Sequence, residues 1–197
     1  MTHERARRVI AGLVCAILAS TPAATATERG EAFPAVTVRV IDLADAPLTI
    51  RRPALEQAAR LFERIGVTIV WDDSNRLAAA ASSPFVVDLT LLEHRNDPVT
   101  TGSVLGSATP SPVPSIAVFY CDVQQLAQLY VVRPETLLGF VIAHELGHLL
   151  LGPHAHTGYG LMRPVWSRTD VAGGVAQGQF RFSAAEGDRI RRRLQDP

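Results

Sequence analysis

A predicted helix over residues 134–151 constrains the fold of this chain more than any other segment. It has a proline at its first position and a Gly-Pro pair directly after it, as helices commonly do. Apolar residues occupy nearly every face, a pattern typical of a helix buried on all sides. Three polar residues, His144, Glu145 and His148, interrupt this pattern. Since burying each without a partner costs about 1 to 3 kcal/mol, and a charge more, the sequence predicts a partner for them.

A divalent metal ion is the partner that this spacing favours. His144 and His148 are four residues apart, so their imidazoles project from the same helix face, one turn apart. Two such rings can bind one zinc ion, while Glu145 stands near enough to take a proton from a water molecule that the metal activates. The five residues HELGH thus match the HExxH pattern. The alternative is that both histidines are core residues hydrogen-bonded to backbone.

The segment HELGHLLLGPHAHTGYGLM, residues 144–162, resembles the metzincin clan of zinc metallopeptidases, whose motif is HExxHxxGxxH followed by a Met-turn. It is more similar still to secreted bacterial metallopeptidases that carry HExGHLLLG, a later His followed by Ser or Thr, and then Gly-apolar-Met. The resemblance is closest over residues 138–166. It implies that His144 and His148 bind Zn²⁺, that Glu145 is the general base and acid, and that Met162 lies beneath the metal.

The third zinc ligand has two candidates, because the sequence departs from the metzincin pattern. Gly152 follows His148 by four residues instead of three, and histidines occur at both 154 and 156. His154 keeps the ten-residue distance from the first ligand, whereas His156 with the following Thr157 matches the secreted bacterial proteins. An additional helical residue before the glycine lengthens the return path to the metal. We therefore favour His156 as the ligand and keep His154 as the alternative.

The remaining pattern predicts an α+β domain. Alternation and β-branched content predict strands, and apolar repeats at three and four residues predict helices. The predicted strands are 36–43, 67–71, 85–92, 103–108 (a short edge strand) and 116–120, and the predicted helices start at 53, 124, 134 and 183. The last helix starts with a capping box, Ser183 to Glu186, and ends near 194. Together with the resemblance, this order implies a mixed twisted sheet packed on the HExxH helix, with a helix at the C-terminus.

Residues 1–26 are expected to be a signal peptide. Arg5, Arg7 and Arg8 precede an apolar run over 9–19, and Ala24-Thr25-Ala26 offers a cleavage site after Ala26. An uncleaved N-terminal anchor is the alternative. Cleavage would leave a single domain, 27–197, that is secreted or periplasmic and has no stable membrane span. The 19 basic residues balance 19 acidic ones, which argues against a nucleic-acid partner.

These features predict a secreted zinc metalloendopeptidase acting on peptide or protein substrates. An extended substrate would pair with an edge strand, and Glu145 would pass a proton from water to the leaving amine. One alternative is a non-catalytic, zinc-stabilised extracellular binding module, and another is a zinc hydrolase of cell-wall amides. Tyr159 either donates a hydrogen bond to an oxyanion or only packs under its loop. Cys121 is expected to be a buried, inert thiol.

Overall fold

The computed structural model describes residues 33–73, 85–95, 104–110, 113–152 and 154–195, all within one compact unit, Phe33–Pro197. The predicted leader at 1–26 and the start of the predicted strand at 103 lie outside the described residues. Within them the chain forms, in order, β1 (Ala35–Asp42), α1 (Leu48–Glu63), β2 (Thr68–Asp72), β3 (Phe85–Leu92), β4 (Gly106–Thr109), β5 (Ser115–Phe119), α2 (Tyr120–Tyr130), α3 (Pro134–Leu151), α4 (Arg168–Gln177) and α5 (Ala184–Gln195).

The five strands form one mixed sheet in the order β2-β1-β3-β5-β4. β1 pairs in parallel with β2 and β3, and β3 pairs in parallel with β5. β4 runs antiparallel to β5 and lies at the edge of the sheet. The inward residues of the central strands, such as Val38 and Leu89, have no exposed surface. The predicted α+β architecture with a mixed sheet is confirmed.

Helix α3 lies at the centre of the domain and has the bounds that the sequence predicted. It packs against α1, α2, α5 and both β4 and β5, which explains its apolar residues on every face. It lies close against α1 at Gly139, where a Cβ would lie 2.7 Å from the backbone oxygen of Ala54. Only glycine leaves room for the two helices at this distance. No helix among the described residues has the length and apolar content of a bilayer span.

Helix α1 begins five residues before the predicted start at Pro53. The turn before the proline is held by Pro47, whose carbonyl accepts from the backbone N–H groups of Ile50 and Arg51 at 2.8 and 2.9 Å. The Arg51 side chain also donates to Asp42 at 2.5 Å, at the end of β1. A proline inside a helix removes one hydrogen bond, and the Arg51–Asp42 ion pair connects the turn before Pro53 to the end of β1.

Two other elements start several residues from their predicted positions, and one helix was not predicted. β4 spans Gly106–Thr109 instead of 103–108, and α2 begins at Tyr120 instead of 124. Helix α4 was not predicted, although Ser167 caps it with Asp170 in a capping box that the sequence contains. Helix α4 has two glycines and little apolar periodicity, so its composition does not indicate a helix. The capping box of α5 is confirmed, because Ser183 N donates to Glu186 Oε2 at 2.6 Å.

Candidate metal centre

Three imidazoles meet at the surface of α3. The ring nitrogens that His144, His148 and His156 offer lie within 4.8 Å of one another. The Nε2 atoms of His144 and His148 face each other at 3.0 Å, as expected for rings one helical turn apart. Ligands of a tetrahedral zinc ion at about 2.0 to 2.1 Å are separated by about 3.3 Å. The three nitrogens therefore fit a zinc ion without large movements.

The orientation of His144 also suits a metal ligand. Its Nδ1 lies 2.8 Å from the backbone oxygen of Leu161. Since a carbonyl oxygen only accepts, Nδ1 is the protonated nitrogen and the lone pair of the neutral ring is on Nε2, toward the other histidines. The indole of Trp166 packs edge-to-face against the same ring, with centroids 5.3 Å apart. Both contacts restrict rotation of the imidazole.

The loop after α3 brings His156 back to the helix. Gly152 ends the helix with a φ of 76°, a conformation that favours glycine. His156 then packs against His148 with ring centroids 4.6 Å apart. His154 is exposed and is not a member of the three-histidine group. Of the two candidates in the sequence, the structure thus places His156 with the helical pair.

Burial affects the protonation of the two helical histidines. Desolvation lowers the pKa of His144 to about 4, although the hydrogen bond to Leu161 acts in the opposite direction. Desolvation, together with the neighbouring imidazoles of His144 and His156, lowers the pKa of His148 to about 4. Both rings are therefore neutral near pH 7, which is the form that binds metals.

Glu145 lies beside the histidines with 7 % of its surface exposed. Burial raises the pKa of its carboxyl to about 7. The side chain fits against Gly106 of β4, where a Cβ would lie 2.7 Å from Glu145 Cγ. Glycine at 106 thus makes room for the carboxylate. Glycine within a strand pattern often marks such a close approach, so the glycine at 106 is itself a sequence signal for a side chain packed against this strand.

Met162 packs beneath the helix that carries the histidines. It has no exposed surface, and its Sδ would lie 2.6 Å from a Cβ on Gly147. Gly147 is the residue before His148 in HELGH. Because it has no side chain, Met162 can pack against the helix backbone between the two histidines. The position of Met162 beneath a bound metal ion, which the resemblance implied, stays a prediction.

A cavity of about 700 Å³ opens beside the three histidines. Residues 106–108 of the edge strand β4 line it together with Glu145. Its apolar lining includes Leu126, Tyr130 and Trp166. No periodicity or spacing in the sequence indicates Trp166, because its position depends on contacts with distant parts of the chain. The arrangement combines nitrogen ligands, a carboxylate and a partly apolar cleft, as in many ligand sites.

Two weaker candidates lie apart from this cavity. Tyr159 is 70 % exposed and does not line the cavity, although its backbone oxygen accepts a hydrogen bond from Thr157. The oxyanion role considered for Tyr159 therefore has no support from the geometry, and neither does packing of its ring. Cys121 is a partly buried free thiol rather than a fully buried one.

The fold has a known counterpart among zinc peptidases. No protein-family model and no curated protein sequence matches this chain. Its structure is similar to the crystal structure of a zinc-dependent peptidase from Methanocorpusculum labreanum (strain Z), with a TM-score of 0.55 and 13 % sequence identity. The similarity covers 79 % of this chain and 99 % of that chain. At this identity the comparison establishes the fold, and it confirms the zinc-peptidase-like architecture that the HExxH helix predicted.

Proposed function

We propose that this protein is a secreted, zinc-dependent endopeptidase. The observation that carries the proposal is the convergence of three imidazole nitrogens beside a buried carboxylate, in a cavity that an edge strand also lines. His144, His148 and His156 would hold the zinc ion. Three protein ligands leave one position open, which is the arrangement of catalytic rather than structural zinc sites. When bound, zinc supplies Lewis-acid polarisation of a carbonyl and activates water at neutral pH.

Glu145 would carry the proton in this reaction. Among the described residues none donates a hydrogen bond to its carboxylate, so both oxygens are available to a water molecule or an amide in the cavity. A carboxylate oxygen of Glu145 takes a proton from the attacking water and returns it to the leaving amide nitrogen. Proton transfer by a positioned side chain accelerates such reactions by about 10² to 10⁴-fold.

Strand β4 would bind the substrate backbone. It is the edge strand of the sheet, and within the described ranges it pairs only with β5. Its four residues extend about 13 Å, enough to pair with a short stretch of extended peptide. Because this mode of binding recognises main-chain groups and not a chain terminus, it supports cleavage inside a polypeptide.

The proposal is tested with the full chain on unfolded casein, with fragments identified by mass spectrometry. We expect cleavage at internal bonds, loss of cleavage after dialysis against a chelator, and recovery on addition of Zn²⁺. Glu145→Gln should retain zinc but lower kcat by about 10² to 10⁴-fold. Cleavage by Glu145→Gln at the wild-type rate, or cleavage that a chelator does not affect, would overturn the proposal.

The two alternatives predict other outcomes of the same assays. A zinc-stabilised binding module would bind zinc and cleave no substrate, with wild type and Glu145→Gln indistinguishable. A hydrolase of cell-wall amides would release fragments from purified peptidoglycan and leave casein intact. Either result would contradict a peptidase.

Export is proposed from the N-terminal pattern of charge and hydrophobicity. Expression of the full chain in a bacterial host, followed by N-terminal sequencing of the protein outside the cytoplasm, should give Thr27 as the first residue. Recovery of the protein only in the cytoplasm with its leader attached would contradict export.

A further inference from the structure

The third histidine of the metal centre is held differently from the other two. His144 and His148 are fixed by helix α3, and His144 also bonds to a carbonyl through its ring. His156 is exposed and lies on a loop, and no described residue forms a hydrogen bond with its ring. Besides the contacts of its ring with His144 and His148, its position is set through the backbone on either side of it.

Thr157, the next residue, is held at both of its polar groups. Its backbone N–H donates to the carbonyl of Met162 at 2.9 Å. Its hydroxyl has two acceptors within reach, the backbone oxygen of Tyr159 at 2.9 Å and Glu186 Oε1 at 3.1 Å. The Tyr159 contact is local, whereas Glu186 belongs to helix α5. Of the two acceptors of the Thr157 hydroxyl, Glu186 is thus the one that connects the histidine loop to another helix.

Glu186 is unusually placed for a capping residue. Its Oε2 closes the N-terminus of α5 by accepting from Ser183 N at 2.6 Å, while Glu186 N donates to Ser183 Oγ at 3.3 Å. These two bonds complete a capping box, which needs one carboxylate oxygen. The second oxygen accepts from Thr157, and the residue is only 5 % exposed. A hydrogen bond to a charged, buried acceptor is stronger than one between neutral groups.

Helix α5 is in turn fixed to the helix that carries the other two histidines. Arg189 of α5 donates to the backbone oxygen of Leu151, the last residue of α3, at 2.8 Å. Ile190 and Leu194 are buried in the shared core. The chain of contacts from α3 through α5 and Glu186 to Thr157 therefore places His156 in register with His144 and His148.

We propose that Glu186 is a positioning residue for His156, so that the C-terminal helix sets the metal affinity of the site. This inference rests on the metal centre of the proposed function. Groups that orient metal ligands typically change affinity by about 10- to 100-fold when they are removed. We expect Thr157→Val and Glu186→Ala each to raise the dissociation constant for Zn²⁺ by about this factor. Combining the two should add little, because both remove the same contact.

Ser183→Ala is the matched control. It weakens the capping box but leaves the Thr157–Glu186 contact in place. We expect it to lower the unfolding midpoint temperature while its dissociation constant for Zn²⁺ stays within about twofold of wild type. Thr157→Ser keeps a hydroxyl at the same position and should restore wild-type affinity.

The measurements are competition for Zn²⁺ against a chromophoric chelator and the d–d absorption of Co²⁺ bound to the full chain. Altered Co²⁺ spectra in Thr157→Val and Glu186→Ala, but not in Ser183→Ala, would support the inference. Wild-type zinc affinity and Co²⁺ spectrum in Thr157→Val would overturn it and leave the proposed function intact. Absence of stoichiometric Zn²⁺ from the wild type would overturn both. Thr157 is only partly buried, so its variant provides the test even where Glu186→Ala does not fold.

Discussion

A methyl group added at residue 106 tests whether the position of Glu145 governs the chemistry. Gly106 is the first residue of β4, and a Cβ on it would lie 2.7 Å from Glu145 Cγ and 2.9 Å from Glu145 Oε1. The same Cβ would lie 2.9 Å from the backbone oxygen of Ala117 in β5. Relative to ordinary contacts, which begin at 3.4 Å, the methyl group of Gly106→Ala is up to about 0.7 Å too close.

The size of the effect on stability and activity depends on which neighbour of the added methyl group moves. Ala117 is held by strand pairing with both β3 and β4, so the Glu145 side chain yields more easily. Overpacking of this kind costs about 1 to 3 kcal/mol, and the change from glycine recovers about 0.4 to 1 kcal/mol through the unfolded chain. We expect a net loss of up to about 2.6 kcal/mol in the free energy of unfolding. Since a misplacement of about 1 Å can cost 100-fold in rate, kcat/KM should fall by about 10- to 100-fold.

The assay compares Gly106→Ala with Gly158→Ala, where an added Cβ meets nothing within 4 Å. Cleavage of casein, zinc content and urea-induced unfolding are measured for both variants. Gly106→Ala should retain zinc, because the three atoms nearest to the new methyl group belong to Glu145 and Ala117 and not to a histidine, and it should lose activity. Gly158→Ala should match the wild type. If Gly106→Ala keeps kcat/KM within about twofold of wild type, the reasoning about Glu145 is wrong.

Three further predictions concern stability. Gly139→Ala should lower the free energy of unfolding measured in urea, because overpacking against the Ala54 carbonyl costs about 1 to 3 kcal/mol and helix propensity returns only about 1 kcal/mol. In the control Gly173→Ala the atom nearest to an added Cβ, Gln179 Oε1, is 4.0 Å away, so the gain in helix propensity should appear instead. Hydrogen bonds from Ser167, more than the nearby Arg163, lower the pKa of Asp170, so its stabilising effect is present above about pH 4 and is lost as pH falls further. The difference in melting temperature between wild type and Asp170→Asn should thus shrink below pH 4, and a constant difference would contradict this. Removing zinc should lower the melting temperature, because zinc at 100 times its dissociation constant stabilises the folded state by about 2.7 kcal/mol. An unchanged melting temperature would mean that no zinc was bound.

The sequence was sufficient to predict an element or a site residue where the local signals and the pattern of burial agree. Helix α3 has its predicted bounds because a proline at its first position, a glycine after its end and apolar residues on every face all favour the same element. The choice of His156 over His154 rested on the resemblance, in which a histidine is followed by Ser or Thr, and on a local feature, the additional helical residue before Gly152. The structure accordingly groups His156 with the helical histidines.

The sequence was insufficient to predict features that depend on contacts between residues far apart in the chain. The early start of α1 depends on Arg51 reaching Asp42, and the place of Trp166 depends on its contacts with His144 and Phe180. Neither contact has a periodic or spacing signal. The same holds for Thr157 and Glu186, which are 29 residues apart in the chain and meet only after folding.

The most direct test of the account is the zinc content of three purified full-length proteins, wild type, His154→Ala and His156→Ala, measured by mass spectrometry against protein concentration. The account predicts one zinc ion per chain in wild type and in His154→Ala, and loss of zinc from His156→Ala at micromolar chelator concentrations. A wild-type protein without stoichiometric metal, or equal zinc retention in His156→Ala, would contradict it.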